Sequence, residues 1–211
     1  MRSHVRRQSG RQVGRESLGR RRSLLRGAPK LREATTNDAR VIASVIRRAF
    51  RKQVAILGIR RSEHPDYVGF ETAERVRRRL EKGGRVLVAD LQGRSIGTVT
   101  FRIDVHEPSK GEIARLAVLP AFRGTGIGRV LMGAAESALG QADATVAEVS
   151  IVANFDRLRS YYEAMGYART RQQRFAALPF DVLFLEKRIP WTPARRQGPP
   201  RMAAVRELKG Q

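Results

Sequence analysis

A strand-like run breaks at a proline into a loop with three glycines in five residues, and a helix starts directly behind it. Residues 116–129 read LAVLPAFRGTGIGR. Leu116, Ala117 and Val118 end an apolar stretch that suits a strand. Ile127, Val130, Leu131, Ala134 and Ala138 recur at helical spacing over residues 126–139. Between them, Arg123 to Gly128 form an Arg-x-x-Gly-x-Gly loop that includes Thr125. A strand, a glycine loop and a helix N-terminus together make the geometry that cradles a pyrophosphate. Gly124, Gly126 and Gly128 let the backbone come close to phosphate oxygens and tolerate positive φ. Unpaired N–H groups of the first helical turn donate, and the helix dipole adds roughly 0.3–2 kcal/mol for an anion. Arg123 and Arg129 flank the loop with charge. No Lys-Ser or Lys-Thr follows the last glycine, which excludes a P-loop. Arg129 stands where a dinucleotide fingerprint needs its third glycine. Two readings stay open on the loop alone: an anion cradle, or a glycine-rich turn without a ligand.

The rest of the chain supplies an alternation of elements. Lys30 to Ala34 reads as a first strand. Thr35-Thr-Asn-Asp38 starts a helix whose apolar face is Ile42, Val45, Ile46 and Phe50. Residues 51–69 read as irregular, broken by Gly58, Pro65 and Gly69. Phe70 to Glu81 predicts a second helix with a basic face (Arg75, Arg77, Arg78, Arg79) that is expected to be solvated. Arg85 to Asp90 and Ser95 to Ile103 predict a hairpin across Leu91-Gln-Gly-Arg94. A loop over Val105 to Lys110 leads to a strand over Gly111 to Leu119. The helix after the glycine loop is expected to end at Gly140. Strand Thr145 to Val152, helix Phe155 to Met165 with Gly166 as its stop, and strands Tyr167 to Phe175 and Phe180 to Arg188 follow. The pattern predicts four helices around a mixed seven-strand sheet.

Charge is distributed unevenly. The chain of 211 residues carries a formal net charge of +22. Residues 1–30 hold ten Lys and Arg against Glu16 alone, and residues 191–211 hold five against Glu207. A domain over residues 30–190 is therefore expected between a disordered basic arm, 1–29, and a disordered basic tail, 191–211. Three readings of the arm compete: a nucleic-acid or anionic-surface contact, an organellar transit peptide, or a passive or removed extension. Its lack of an apolar segment argues against a secretory signal. Cysteine is absent, and His4, His64 and His106 are scattered, so no metal site is expected. No apolar run reaches the length of a membrane span. A cytoplasmic protein, monomer or homodimer, is the expectation.

Three ordered blocks carry a resemblance: Glu112-Ile-Ala-Arg-Leu-Ala-Val118, the RGTGIG loop, and Asn154 followed by Tyr161-Tyr-Glu-Ala-Met-Gly-Tyr167. In this order and spacing the chain resembles the GNAT superfamily of N-acetyltransferases over roughly residues 31–188. The resemblance implies an α/β (α+β) fold with a mostly antiparallel seven-strand sheet, about four flanking helices, and strands splayed at the cofactor site. It implies acetyl-CoA as acyl donor, no metal, and an amine as acceptor. The amides from Gly124 to Arg129 (Thr125 and Ile127 among them) would hold the pyrophosphate. Leu116, Ala117 and Val118 would pair with the pantetheine arm as an added strand does. Asn154 matches a cofactor-contacting position, and as a residue it equally suits a helix N-cap. Tyr162, in register with Glu-x-x-Gly, matches the general acid, with Tyr161 rotated away from it by about 100°. Glu112 matches a general base found in some members; strand alternation places it on one face with Ala114, Leu116 and Val118, and Arg102 or Arg115 are candidate ion-pair partners. Glu148 and His106 are reserves for the base. The acceptor's identity, small molecule or protein, has no readable motif. The competing reading is a non-catalytic module that senses acyl-CoA or contacts RNA through its basic arms.

Overall fold

The computed structural model describes residues 27–190. The readings made of the N-terminal arm, apart from residues 27–29, and of the C-terminal tail lie outside the described residues. Seven strands form one sheet: β1 (Lys30–Glu33), β2 (Arg85–Leu91), β3 (Arg94–Ile103), β4 (Lys110–Val118), β5 (Val146–Val152), β6 (Ala168–Arg174) and β7 (Asp181–Arg188). Their order is β1-β2-β3-β4-β5-β7-β6. Every neighbouring pair is antiparallel except β4 and β5. That exception follows from the connection, because β4 returns to β5 through a helix. Four α-helices accompany the sheet: α1 (Ala39–Leu57), α2 (Ala73–Glu81), α3 (Ile127–Gly140) and α4 (Asp156–Glu163). Among the described residues no helix is long and apolar enough to cross a membrane.

The main core gathers Ile42 and Ile46 of α1, Phe101 of β3, Leu131, Met132 and Leu139 of α3 and Leu185 of β7. A second cluster of Ile59, Tyr67, Val152, Phe180 and Val182 closes the far end of β5 and β7. This cluster explains the first difference from the sequence expectation. α1 does not stop near Phe50 but runs on to Leu57, because Val54 and Leu57 find apolar partners there. Gly58, at φ 61, then ends it, and the N–H of Ile59 donates to the carbonyl of Val54. α2 begins at Ala73 rather than Phe70, where the hydroxyl of Thr72 accepts from the amide of Arg75 at 3.2 Å. Gly140 lies inside α3, and the left-handed residue beyond it is Asp143, at φ 66.

A further difference concerns β4. Ala114 faces Thr100 and Ala117 faces Thr98, so β4 spends one more residue than β3 over this stretch. The bulge contains Arg115 at φ 54, a left-handed conformation uncommon for a residue with a side chain. Strict alternation therefore fails: Glu112 and Ala114 share a face with Ala117, while Val118 turns to the other face opposite Gly97. That other face carries α3, since a Cβ on Gly97 would meet Leu131 and Ile127. Leu116 also lies toward α3, near Gly128.

Candidate active site

β4 and β5 part. Their parallel register runs from Lys110 opposite Val146 to Ile113 opposite Val149 and goes no further. Beyond it, residues 114–118 and 150–152 pair only with their outer neighbours, so two inner edges face each other without a ladder. A groove of about 1410 Å³ opens here, bordered by Glu112, Leu116, Gly126, Asn154, Tyr161 and Tyr162, among others.

The glycine loop forms one wall. Gly124 and Gly126 sit at φ 75 and 89, and Gly126 is the N-cap residue of α3. The main-chain N–H groups of residues 124–129 donate no hydrogen bond to the described residues, and no side chain caps α3. A Cβ on Gly128 would stand 2.5 Å from the Tyr161 hydroxyl. This is a cradle of unspent donors with side chains kept out, and it fits a pyrophosphate.

Side chains of the loop are less directly engaged than their charge suggests. The guanidinium of Arg123 donates to the carbonyls of Val118 and Ala49, tying β4 to α1, and burial lowers its pKa. Arg129 remains exposed beside the Tyr161 ring, 6.0 Å from its centroid, and reaches the Ala164 carbonyl at 3.3 Å. Thr125 turns its hydroxyl back to the carbonyl of Phe122. Ala117 and Ile127 are core residues, so those three positions do not line the groove with side chains. Leu116, Val118, Gly124, Gly126, Gly128, Arg123 and Arg129 do border it.

From the opposite wall come Asn154 and the two tyrosines. Phe155, not Asn154, is the N-cap residue of α4. Asn154 is exposed at the groove, with no side-chain hydrogen bond to the described residues. Tyr162 is 7% exposed and packs edge-on against Tyr161 and Tyr167. Burial, and then neighbouring Tyr161, push its phenol well above the ordinary tyrosine value. Its hydroxyl has no hydrogen-bond partner among the described residues. Burial also raises the phenol of Tyr161, against the charge of Arg129.

Glu112 lies at the point where the sheet opens, and it is ion-paired with Arg102 at 2.6 Å, one of the two partners expected. Glu148 stands beside it on β5 but is held by Arg171 at 2.6 Å and lies 3.8 Å from Lys110. His106 sits in an exposed loop away from the groove. Sequence reading missed Glu71. Its carboxylate, in a residue 2% exposed, holds Arg79 at 2.6 Å and Arg115 at 3.1 Å, and its carbonyl accepts from Arg47. Arg79 of the basic face of α2 is thus half-buried in an ion pair rather than solvated, while Arg77 and Arg78 are exposed as expected. No periodicity marks Glu71, because it lies in an irregular turn before α2.

Comparison with known proteins agrees with this geometry. Residues 44–167 match the family model described as the acetyltransferase (GNAT) family. Among solved structures, the chain is similar to the PaiA N-acetyltransferase of Thermoplasma acidophilum in complex with coenzyme A, with TM-score 0.62 and 18% identity over 77% of this chain and 99% of that one. It is similar to the ribosomal-protein-alanine N-acetyltransferase of Brucella melitensis, with TM-score 0.57 and 19% identity over 76% and 99%. It also matches YncA of Salmonella typhimurium, solved with its cofactor acetyl-CoA, with TM-score 0.57 and 18% identity over 84% and 100%. At these identities the likeness is one of fold.

Proposed function

The chain belongs to the acetyltransferase (GNAT) family, and from that premise we propose that it transfers an acetyl group from acetyl-CoA to a primary amine. One observation carries the reading: the unspent amides of residues 124–129 and the unpaired inner edges of β4 and β5 border a single groove. The amides suit the pyrophosphate, and the β4 edge at Leu116, Ala117 and Val118 suits the amide-bearing pantetheine arm. Relatives of the same fold solved with coenzyme A and with acetyl-CoA support that donor.

The amine nitrogen attacks the thioester carbonyl carbon. A C–N bond forms, the C–S bond breaks, and the thiolate leaves. Glu112 takes the ammonium proton, directly or through water, before attack. Main-chain N–H groups of β4 at the parted edge stabilise charge on the carbonyl oxygen. Tyr162 gives its phenolic proton to the thiolate. The phenol is protonated at neutral pH, the state an acid requires, and burial moves its ionisation further up. The second amine proton restores the phenol through solvent, so one proton is released per turnover. Asn154, with its amide unengaged, is suited to the pantetheine arm.

The test is calorimetric titration of acetyl-CoA, followed by coenzyme A release in the presence of peptides, polyamines, aminoglycosides and amino acids. Binding with amine-dependent release supports the transferase. Binding without release from any amine assigns the groove to acyl-CoA sensing, and absence of binding overturns both readings.

A further inference from the structure

We propose that a second, smaller pocket beside Glu112 receives a carboxylate of the amine substrate, so that the acceptor is an amino acid or a similar amine bearing an anionic group. This rests on the transferase reading above and names its substrate class. The pocket measures about 260 Å³, and Arg79, Thr100, Arg102, Glu112, Ala114 and Arg115 border it. Glu112, Ala114 and Arg115 also border the main groove, so the two spaces meet at the general base.

Two buried donors on residues that border the pocket lack partners. Thr100 is 4% exposed, and its buried hydroxyl makes no hydrogen bond. Nη1 of Arg79 is likewise buried and unpaired, although Nη2 of the same side chain holds Glu71. Buried polar groups left without a partner destabilise a fold, so such a pair calls for an occupant. Charge selects the occupant. Arg79 and Arg115 share the one carboxylate of Glu71, and Arg102 is matched by Glu112. One guanidinium charge therefore stays uncompensated. Burial, and next the charge of Arg79, hold the pKa of Arg115 below its ordinary value, in keeping with that excess. A carboxylate admitted by a small turn of these side chains meets both the donors and the charge. The bulge delivers Arg115 to this place from a strained backbone, at φ 54, and strain of this kind collects at functional positions. With Glu112 at its mouth, the pocket presents a carboxylate for the ammonium and guanidinium groups for the acid end, the pattern of a zwitterion.

Removing Arg79 would cost buried Glu71 the nearer of its two guanidinium partners, so the test uses Thr100→Val, which keeps the shape and deletes the donor. Coenzyme A release is compared for 4-aminobutyrate against butylamine and for lysine against 1,5-diaminopentane. The wild type is expected to prefer the carboxylate-bearing member by at least about tenfold in kcat/KM, and the variant to lose about tenfold of that preference. Separately, sodium acetate is expected to raise the melting temperature of the wild type by about 2 °C over sodium chloride at equal ionic strength, and not to do so in the variant. If amines are acetylated without preference and acetate acts like chloride, the pocket assignment is overturned while the transferase stands. If acetate stabilises only the wild type but no amine releases coenzyme A, the pocket stands and the transferase reading falls.

Discussion

Changing Tyr162 to Phe removes one oxygen atom and keeps the ring. That ring is 7% exposed and sits 5.3 Å from the Tyr161 centroid and 5.7 Å from that of Tyr167, contacts that Phe preserves. The hydroxyl makes no hydrogen bond to the described residues, so the substitution breaks none. Fold stability is expected to stay within about 0.5 kcal/mol of wild type. Loss of the proton donor to the departing thiolate is expected to lower turnover by about 10²–10⁴-fold, or roughly 3–5 kcal/mol of activation free energy. The two effects differ by nearly an order of magnitude, so one variant separates packing from catalysis. The assay follows thiol release at saturating acetyl-CoA, with the melting temperature and the calorimetric acetyl-CoA affinity measured in parallel. Affinity should hold while turnover collapses, the pattern of an interaction made only in the transition state. The raised pKa adds a second signature, because the wild-type rate should not fall through ionisation of Tyr162 until well above pH 10. Turnover in the variant within about twofold of wild type would refute the acid assignment.

Gly126→Glu places a carboxylate in the amide cradle. A Cβ there has open space, so the cost to folding is about 1–2 kcal/mol for a left-handed backbone at φ 89, while acetyl-CoA binding is expected to vanish. Unchanged calorimetric affinity would take the loop out of the site. Glu112→Gln breaks a pair whose side chains are 34% and 61% exposed, so stability should change by less than about 1 kcal/mol. Turnover should drop by about 100-fold or more, and a variant as fast as wild type would pass the base role elsewhere. Asp38, hydrogen-bonded to Arg32, has a pKa lowered to about 2. Its folded value lies below its unfolded one, so its contribution is complete above about pH 4 and is lost between pH 4 and 2. Discounted for solvent screening, that is about 1 kcal/mol, and urea melts of Asp38→Asn should lack this acid limb. An identical limb in both proteins would show that the pair contributes nothing.

Local signals made most of the fold readable. The two-residue turn at Gln92 and Gly93, both at positive φ, was legible because a short connection between apolar runs permits little else. The glycine loop was legible because close backbone approach leaves a mark in composition, whereas Tyr162 was singled out only by the resemblance, through its Glu-x-x-Gly register. What stayed hidden depended on distant partners. The last two turns of α1 exist because Val54 and Leu57 pack against a cluster that includes Phe180 and Val182, more than 120 residues away in sequence. The bulge at Arg115 leaves no trace in hydrophobic alternation, since Ala114 and Ala117 are both small and apolar. Glu71 reads as a surface acid until α2 and β4 bring Arg79 and Arg115 to it.

The half-pleat inserted at Arg115 divides β4 into two segments with different audiences. Glu112 and Ala114, upstream, look to one side of the sheet; Leu116 and Val118, downstream, look to the side that carries α3. Mutant libraries confined to either segment should therefore retune one substrate while sparing the other, and excising Arg115 would erase the bulge yet leave each segment on its present face.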